Sequence, residues 1–372
     1  MLLASIFALG LTSVFYSVGG AVPTHMPITS LVEEFPLPNQ GQLPIHDPTV
    51  VRVGDSYYAY QGGAAGIPVW KANSMNGPWT QVGTVLDGPS VITKGDNKKP
   101  WAPMTIEKDG TFYCFYAVSE DGSRNSAIGV ATSNSPEGGN WTDHGSIIET
   151  GSGPYAHLFP YTAANAIDPS VFIDPADGTP YLTFGSYWTD IWQLPLTKDL
   201  LAVDTPKQPD AINVAFLTLE GADNEIRKDH NYPVTYEPDP RPEEGSFMSY
   251  RAPWYYLWFS HGQCCHFSVT GLPPAGQEYS IRVGRSLNPR GPFVDRDGKK
   301  LCEGGGTIVY GSNHEVYAPG GQGIMTGDFS HPDVLYYHYL NKTSGLAFDD
   351  ARLGWNYLLY EDGWPVVFQS GL

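Results

Sequence analysis

The sequence predicts an all-β protein, a five-bladed β-propeller, on the basis of two recurring patterns and the composition. One pattern occurs five times and consists of a short opening dipeptide, a small or branched run, a polar turn and an aromatic-rich strand. The second consists of a strand, a turn closed by an aromatic residue and an outer strand. The 42 glycines and 32 prolines among 372 residues, without low-complexity runs, are typical of a turn-rich β protein.

The five units open at regular places along the chain. The opening dipeptides are Asp47-Pro48, Ala102-Pro103, Asp168-Pro169, Glu244-Gly245 and Ala318-Pro319. Each unit then has room for four short strands, and four-stranded units at this interval are typical of propeller blades, each of which packs on its neighbours. A β-sandwich with coincidental turns is the alternative, but two separate patterns in register disfavour it.

The ends of the chain predict how the ring closes. Segments 354–359 and 364–367 have the pattern of closing strands. Ring closure usually joins both chain ends in one blade, which covers strand edges that would otherwise invite aggregation. We therefore expect residues 28–45 to complete the last blade. The polar, Pro-rich segment 198–243 is expected to be a long loop that decorates the ring.

The N-terminus predicts export. Residues 1–21 are largely apolar and end in small residues, which fits a secretory signal peptide cleaved after Ala21. Residues 22–372 then form a single propeller domain, secreted to the extracellular space. The formal net charge of −18 argues against nucleic acid and against an anionic membrane surface as partners. We expect a monomer.

Four cysteines, Cys114, Cys264, Cys265 and Cys302, leave the disulfide pairing open. Four cysteines can pair in three ways in an oxidising compartment. Neighbouring Cα atoms lie about 3.8 Å apart, below the usual disulfide range. Cys264 and Cys265 therefore either form a strained bond with each other or pair elsewhere. The spacing does not suggest a zinc site.

Three of the five openings are acidic: Asp47, Asp168 and Glu244. If the units are equivalent, these carboxylates start the inner strands and face one mouth of the axial channel. Cleavage of a glycosidic bond needs a protonated acid at the leaving oxygen and an ionised carboxylate on the other face of the sugar. A third carboxylate can tune the acid. For each Asp-Pro the alternative is a turn that Asp caps, as we interpret Asp174-Pro175 and Asp239-Pro240.

Several motifs, in this order, resemble the signatures of glycoside hydrolase family forty-three. They are Ile45-His46-Asp47-Pro48-Thr49-Val50, Trp101-Ala102-Pro103, Asn165-Ala166-Ile167-Asp168-Pro169-Ser170, Phe184-Gly185-Ser186-Tyr187-Trp188 and Glu244-Gly245-Ser246-Phe247. Further motifs, Cys264-Cys265, Tyr317-Ala318-Pro319-Gly320-Gly321-Gln322-Gly323 and Gly363-Trp364-Pro365-Val366-Val367, are similar to its endo-1,5-α-L-arabinanase branch. The resemblance covers residues 40–370. It implies a five-bladed propeller that cuts arabinan, a side chain of plant cell-wall pectin, by inversion.

The resemblance implies a role for each acid. Asp47 matches the general base that activates water, Asp168 the acid that tunes and positions the proton donor, and Glu244 the general acid. Glu243 is a rival for the last role. Because side chains alternate along a strand, only one of this pair should face the channel, and the Gly245-Ser246 that follows favours Glu244.

Further residues in the motifs are expected to bind substrate: His46, Trp101, Asn165, Phe184, Ser186 and Trp188. His46 would contact a neighbouring sugar, and the three larger aromatic residues would stack on sugar faces. Core packing is the alternative for all three. Ser186 and Asn165 would bond hydroxyl groups. Met104 departs from the pattern, since many relatives have an acidic residue there.

The resemblance also implies an axial histidine near a bound cation, often calcium. His314, in Ser312-Asn313-His314-Glu315, matches best. A lone histidine is more often structural, and calcium prefers oxygen ligands, so such a site would be hydrated. No organic cofactor is expected.

Two alternatives to an endo-arabinanase stay open. An exo-acting α-L-arabinofuranosidase or β-xylosidase can use the same scaffold, and product sizes from linear arabinan would distinguish them. A sugar-binding propeller without catalysis would bind without turnover, but it leaves the three acids in register unexplained.

Overall fold

A computed structural model describes residues 35–222, 224–235, 241–327 and 331–368, which form five sheets arranged as the blades of a β-propeller. The fold class predicted from the sequence is confirmed. The expected signal peptide, residues 1–21, lies outside the described residues.

The strands are short and numerous. In chain order they are β1 (Asn39–Pro44), β2 (Thr49–Val53), β3 (Ser56–Tyr60), β4 (Pro68–Ala72), β5 (Thr80–Thr84), β6 (Trp101–Lys108), β7 (Thr111–Val118), β8 (Ala127–Ser133), β9 (Thr142–Glu149), β10 (Ser170–Ile173), β11 (Pro180–Phe184), β12 (Ile191–Pro195), β13 (Ile212–Ala215), β14 (Glu243–Arg251), β15 (Trp254–His261), β16 (Ser280–Ser286), β17 (Thr307–Tyr310), β18 (Val316–Met325), β19 (Asp333–Asn341), β20 (Arg352–Glu361) and β21 (Trp364–Phe368). The helical segments are α1 (Phe267–Thr270) and the 3-10 turns Leu301–Glu303 and Phe348–Asp350. No helix in the described ranges has the length and apolar character needed to cross a membrane.

Each of the first four blades is an antiparallel sheet whose strands follow chain order. Strands β2–β5 form blade 1, β6–β9 blade 2, β10–β13 blade 3 and β14–β17 blade 4. The segment 198–243 was expected to be a loop, but it includes strand β13. This strand pairs with β12 and forms the outer edge of blade 3.

Blade 5 closes the ring with both ends of the chain. Strand β18 pairs with β19, and β19 with β20. The N-terminal β1 pairs with one part of β20, with Asn39 opposite Trp355, and the C-terminal β21 pairs with the other part, with Val366 opposite Leu359. The predicted closure is confirmed for residues 39–44, while residues 28–34 lie outside the described ranges.

Two hairpins show how local sequence builds the blades. Asp109-Gly110 joins β6 to β7, and Asp362-Gly363 joins β20 to β21. All four residues have positive φ, between 50° and 79°. Turns of this kind match the right-handed twist of the flanking strands, and Asp-Gly adopts them readily.

The core lies between neighbouring blades. Leu182 of blade 3 packs in one cluster with Phe115 of blade 2, and Trp258 of blade 4 packs with Tyr337 of blade 5. These four side chains are fully buried. Burying one such side chain stabilises the fold by about 1.5–3 kcal/mol, so the blade interfaces hold the ring together.

The start of each inner strand has an unusual backbone. Asp47, Ala102, Asp168, Gly245 and Gly321 all have left-handed φ, between 39° and 59°. The residues two positions later pair with the second strands in a common register: Thr49 with Tyr60, Met104 with Phe115, Ser170 with Thr183, Phe247 with Trp258 and Gly323 with Tyr336. The left-handed residues are therefore the equivalent positions of the five blades.

This register corrects two of the openings predicted from the sequence. In blade 4 the equivalent residue is Gly245, not Glu244, and in blade 5 it is Gly321, not Ala318. The ladder of blade 4 is interrupted between Glu244 and Phe247, and that of blade 5 between Tyr317 and Gly323. Such interruptions shift the register without changing the local pattern of residue types.

The cysteines adopt one of the arrangements left open above. Cys264 and Cys265 form a disulfide with each other, in the connection between β15 and β16. Cys114 and Cys302 are free thiols, and Cys114 is fully buried in β7.

Candidate active site

The three acids meet at one mouth of the propeller. Asp47 and Asp168 line a cavity of about 40 Å³ formed by the starts of all five inner strands. Glu244 adjoins Gly245 of the same lining, and the Gly245 amide donates a hydrogen bond to Oδ2 of Asp168 at 3.1 Å. Burial and then the charges of Glu244, Asp47 and Asp168 raise the pKa of Tyr279, so all three carboxylates lie within electrostatic reach of this phenol.

Glu244 is buried and doubly hydrogen-bonded. The hydroxyl of Tyr279 donates to Oε1, and the hydroxyl of Ser186 donates to Oε2. Burial raises the pKa of Glu244, and the negative charge of Asp47 adds to this, whereas the two hydroxyl donors oppose it. The net direction is upward, which favours the protonated form that a proton donor needs.

Asp168 lies within electrostatic reach of the other two acids. Burial, followed by the charges of Glu244 and Asp47, raises the pKa of Asp168 well above its usual range, although the Gly245 amide opposes the shift. The mutual repulsion disfavours ionisation of both Asp168 and Glu244 at once. The negative charge of Asp168 thus favours a state in which Asp168 and Glu244 together hold one proton.

Asp47 has the opposite electrostatic setting. Nδ1 of His46 lies 3.0 Å from Oδ2 of Asp47, and Nδ1 of His338 lies 3.3 Å from Oδ1. The Asp47 amide nitrogen lies 3.2 Å from the same Nδ1 of His338. Burial alone would raise the pKa of Asp47, but the charge of His46 and the contacts of both imidazoles outweigh it and hold the pKa well below its usual range.

The site therefore contains carboxyl groups with divergent pKa values. Asp47 is held ionised, while Glu244 and Asp168 are shifted toward protonation. Such divergence within one site separates a general base from a general acid. The arrangement can activate a water molecule at Asp47 and deliver a proton from Glu244.

Glu243 does not reach this site. Its side chain is fully buried, and Oε1 lies 3.4 Å from Nδ1 of His261. Burial raises the pKa of Glu243, whereas His261 opposes the shift. As expected from strand alternation, the two neighbouring glutamates have different partners, and Glu244 is the one bonded to Tyr279 and Ser186.

Two of the expected substrate-binding residues share the register position of Glu244. His46 in blade 1 and Trp101 in blade 2 each immediately precede the left-handed residue of their blade. Trp101 is half-buried. His46 is 7% exposed because its ring stacks between His338 and Phe348, with ring centroids 3.9 Å away on each side. Substrate contact by either residue stays a prediction.

The other expected contacts divide between the site and the interior. Ser186 bonds Glu244, and half-buried Trp188 donates through Nε1 to the carbonyl of Pro233 at 3.0 Å. Asn165 is buried, and its Oδ1 accepts a hydrogen bond from Ser126 at 2.7 Å. Phe184 has no exposed surface and packs in the core between blades 2 and 3, so it cannot stack on a sugar. For Phe184 the stacking prediction is wrong.

The sequence motifs missed three residues of the site. Tyr279 directly precedes β16, His338 lies in β19, and Phe348 lies in the connection from β19 to β20. All three lie outside the motifs quoted above. Tyr279 contacts Glu244 and His338 contacts Asp47, whereas Phe348 stacks on His46. The alternating aromatic run Tyr336-Tyr337-His338-Tyr339 was a usable signal, because it places one polar ring in an otherwise buried strand.

Two histidines, His314 and His338, are candidates for the cation ligand expected from the sequence. His314, the residue matched from the sequence, is exposed in the turn before β18, whereas His338 lies beside Asp47 and is 1% exposed. Nε2 of His338 is buried without a hydrogen-bond partner in the described residues. Burial lowers the pKa of His338 to about 4, so its ring is neutral at neutral pH. With the Nδ1 proton directed at Oδ1 of Asp47, the lone pair of the ring lies on Nε2.

The side chains around His338 include other groups that can bind a cation. His46, Asp47 and His338 offer ligand atoms that all lie within 4.8 Å of one another. Two imidazoles and one carboxylate suit a transition metal better than calcium, which prefers oxygen. A calcium ion at His338 would thus need water as its further ligands. That any cation binds at His314 or at His338 stays a prediction.

A larger pocket lies away from the acids. It has a volume of about 430 Å³ in blade 2 and is lined by Lys94, Asn125 and Glu149, among others. The Lys94 ammonium donates to the carbonyls of Thr150 at 2.9 Å and Ser126 at 3.2 Å and lies 3.5 Å from Oε2 of Glu149. These bonds fasten two loops together, and we assign the pocket no chemistry.

Comparison with known proteins places the chain among carbohydrate-active proteins. Residues 41–365 match the family model described as "Glycosyl hydrolases family 43". A probable arabinan endo-1,5-alpha-L-arabinosidase D of Emericella nidulans is 54% identical over 333 residues, covering 89% of this chain and 82% of that protein. Arabinan endo-1,5-alpha-L-arabinosidase B of the same organism is 47% identical, covering 92% and 88%.

A solved structure resembles the fold over most of its length. The alpha-L-arabinanase of Cellvibrio cellulosa superimposes with a TM-score of 0.73 at 25% identity, covering 88% of this chain and 96% of that one. That protein has also been solved in complex with arabinohexaose.

Proposed function

The chain belongs to the family 43 glycosyl hydrolases, and we propose that it hydrolyses α-1,5-L-arabinofuranosidic bonds within arabinan chains, with inversion at the anomeric carbon. The observation that carries the proposal is the opposed electrostatics of Asp47 and Glu244 at one mouth of the propeller. The relatives named above as arabinan endo-1,5-alpha-L-arabinosidases support the choice of substrate.

In the proposed mechanism Asp47 is the general base. Its carboxylate accepts a proton from a water molecule, and the oxygen of that water attacks the anomeric carbon. His46 and His338 hold the carboxylate in place and favour its ionised form. A cation held by His338 would supply further positive charge beside Asp47.

Glu244 is the proposed general acid. Its carboxyl proton passes to the glycosidic oxygen as the bond to the anomeric carbon breaks, so that the leaving chain departs as an alcohol. Tyr279 and Ser186 fix the orientation of the carboxyl group and stabilise the glutamate that remains. Asp168 touches neither proton in this scheme and acts by raising the proton affinity of the pair that it forms with Glu244.

The proposal is tested by the products. Linear and branched arabinan are incubated with the enzyme, and products are sized over time while proton NMR records the anomer first released. We expect oligosaccharides before monomer, and the anomer opposite to that of the substrate linkage. Monomer from the outset would support the exo-acting alternative, and binding without any product would support the non-catalytic one.

The base is tested by substitution. Asp47→Asn keeps the shape of the side chain but cannot accept the proton, and we expect kcat to fall about 10²- to 10⁴-fold. Asp55→Asn, an exposed carboxylate in the β2–β3 turn, is the matched control. Near-full activity of the Asp47 variant would reject the mechanism.

Export and a monomeric state belong to the same proposal. Export agrees with a polysaccharide substrate too large to enter a cell. Export is tested by expressing the protein in a secreting host and sequencing the mature N-terminus, where we expect cleavage after Ala21. The monomeric state is tested by light scattering of the purified protein.

A further inference from the structure

Phe348 is an exposed aromatic ring at the mouth that holds the acids. It lies in the 3-10 turn Phe348–Asp350, in the connection between β19 and β20. Its relative exposure is 42%, and among the described residues the exposed large hydrophobic side chains include only one other aromatic ring, Tyr155. The ring stacks on His46, whose Nδ1 lies 3.0 Å from the Asp47 carboxylate, so this exposed apolar surface adjoins the proposed base.

The ring of Phe348 is nevertheless held in place. One face stacks on His46, with centroids 3.9 Å apart and planes 17° from parallel, and His46 stacks in turn on buried His338. A β-carbon on Gly63 would come within 2.8 Å of the Phe348 ring, so that glycine leaves room for its edge. An aromatic group immobilised before binding loses little conformational entropy when a ligand arrives.

The turn that carries Phe348 is also fastened. The amide of Ala347 donates to Oδ2 of Asp350 at 2.9 Å, and the amide of Asp350 donates to the carbonyl of Ala347 at 3.0 Å. Ala351 then accepts a hydrogen bond from Ile45, immediately before His46, at 3.0 Å. The position of the ring is thereby tied to the segment that carries Asp47.

Phe348 rather than His46 offers the accessible surface on this side of the base. His46 touches Asp47 at 3.0 Å, but both of its ring faces are covered. The outer face of Phe348 is the next apolar surface along this stack. The centroid of the Phe348 ring lies 3.9 Å from that of His46, and Nδ1 of His46 lies 3.0 Å from Oδ2 of Asp47, so this ring is one side chain removed from the base.

We propose that the outer face of Phe348 is a platform for the arabinofuranose unit adjoining the one attacked at Asp47, an inference that rests on the proposed function. A furanose presents an apolar C–H face, and stacking removes that face and the exposed ring from water together. The platform acts on substrate binding, because it touches neither the water nor the leaving oxygen.

The test separates binding from chemistry. In a Glu244→Gln background, which suppresses hydrolysis, the dissociation constant for arabinohexaose is measured by calorimetry with and without Phe348→Ala and Phe348→Trp. In the active enzyme, kcat and KM on linear arabinan and the pH profile are measured for the same substitutions. Leu287→Ala, which removes an exposed apolar side chain in the connection after β16, is the matched control.

We expect Phe348→Ala to raise both the dissociation constant and KM about three- to tenfold, the range of one aromatic stacking contact. The kcat should stay within about twofold, the pH profile should not move, and Phe348→Trp should bind as the parent does. The Leu287 variant should match the parent in every measurement.

Two results would overturn the platform. The first is an unchanged dissociation constant in Phe348→Ala. The second is a loss confined to kcat with a displaced pH profile, which would make Phe348 a support for His46 and Asp47 only. If the unsubstituted enzyme yields no product from arabinan, the proposed function itself fails. Product formation together with either of the first two results rejects the platform alone.

Discussion

Gly321 lies so close to Asp47 that a β-carbon added to it would collide with Oδ1 of that carboxylate. The same β-carbon would lie 2.7 Å from Nδ1 of His338. Gly321 is the residue of blade 5 that is equivalent to Asp47 by strand register, so glycine satisfies two demands there, a positive φ of 57° and room for the base.

Gly321→Ala should therefore damage catalysis more than stability. The substitution pushes Asp47 or His338 from its position, and we expect kcat on arabinan to fall at least about a hundredfold, since small displacements of a catalytic group have such effects. Gly178→Ala is the control for backbone strain, because Gly178 has a φ of 76° with open space where its β-carbon would lie. Equal losses of activity in the two variants would contradict the argument.

Tyr279 should set the alkaline limit of activity. Its hydroxyl donates to Glu244 and so lowers the pKa of that carboxyl, which burial otherwise raises. Tyr279→Phe removes the donor, so the pKa of Glu244 rises and the acid stays protonated to higher pH. We expect the alkaline limb of kcat/KM to move to higher pH and kcat to fall about tenfold as the carboxyl loses a fixed partner.

Tyr317→Phe is the control for this shift. Tyr317 is buried in β18 and packs against Phe267, with ring centroids 5.0 Å apart. Its substitution should leave the alkaline limb in place. An alkaline limb that moves to lower pH in Tyr279→Phe would show that Glu244 is not the group titrating there.

The two adjacent glutamates should respond differently to the same substitution. Glu244→Gln cannot donate a proton, and we expect kcat to fall about 10²- to 10⁴-fold with the melting temperature nearly unchanged. Glu243 is fully buried beside His261, so Glu243→Gln should change the melting temperature while activity stays within about tenfold. Activity and thermal unfolding are measured on both variants. A greater loss of activity from Glu243→Gln would exchange the roles.

Much of the fold could be predicted from sequence because each blade repeats a local pattern. Asp47-Pro48 and Asp168-Pro169 mark equivalent positions correctly, since Asp tolerates the left-handed backbone and Pro fixes the residue after it. Closure by β1 and β21 follows from the need to cover sheet edges.

The exact register could not be predicted. Glu244 looks like a third opening residue, but the left-handed position falls on Gly245, which adopts that backbone without a steric penalty. Glu244 reaches the mouth from the preceding position, which His46 and Trp101 occupy in blades 1 and 2. The three acids thus converge in the structure although only Asp47 and Asp168 occupy equivalent positions.

Contacts between distant segments explain the other differences between the site predicted from the sequence and the site in the structure. Phe184 belongs to a motif rich in residues expected to touch substrate, yet packing between blades 2 and 3 decides its burial. Tyr279 and His338 reach the acids from positions 35 residues after Glu244 and 291 residues after Asp47. No periodic pattern in the sequence reports contacts at those separations.

The two candidate axial histidines can be separated by their response to calcium. A cation that binds only the folded protein raises its stability by mass action, so calcium added to chelator-treated enzyme should raise the melting temperature by several degrees. Nδ1 of His338 faces Asp47, and its Nε2 is buried without a hydrogen-bond partner in the described ranges, whereas His314 is exposed in the turn before β18. We therefore expect His338→Gln to abolish both the rise in melting temperature and the heat of calcium binding, and His314→Gln to leave both intact. The reverse result would favour His314 as the cation ligand, as expected from the sequence. If calcium changes neither quantity in the unsubstituted enzyme, the site does not bind calcium.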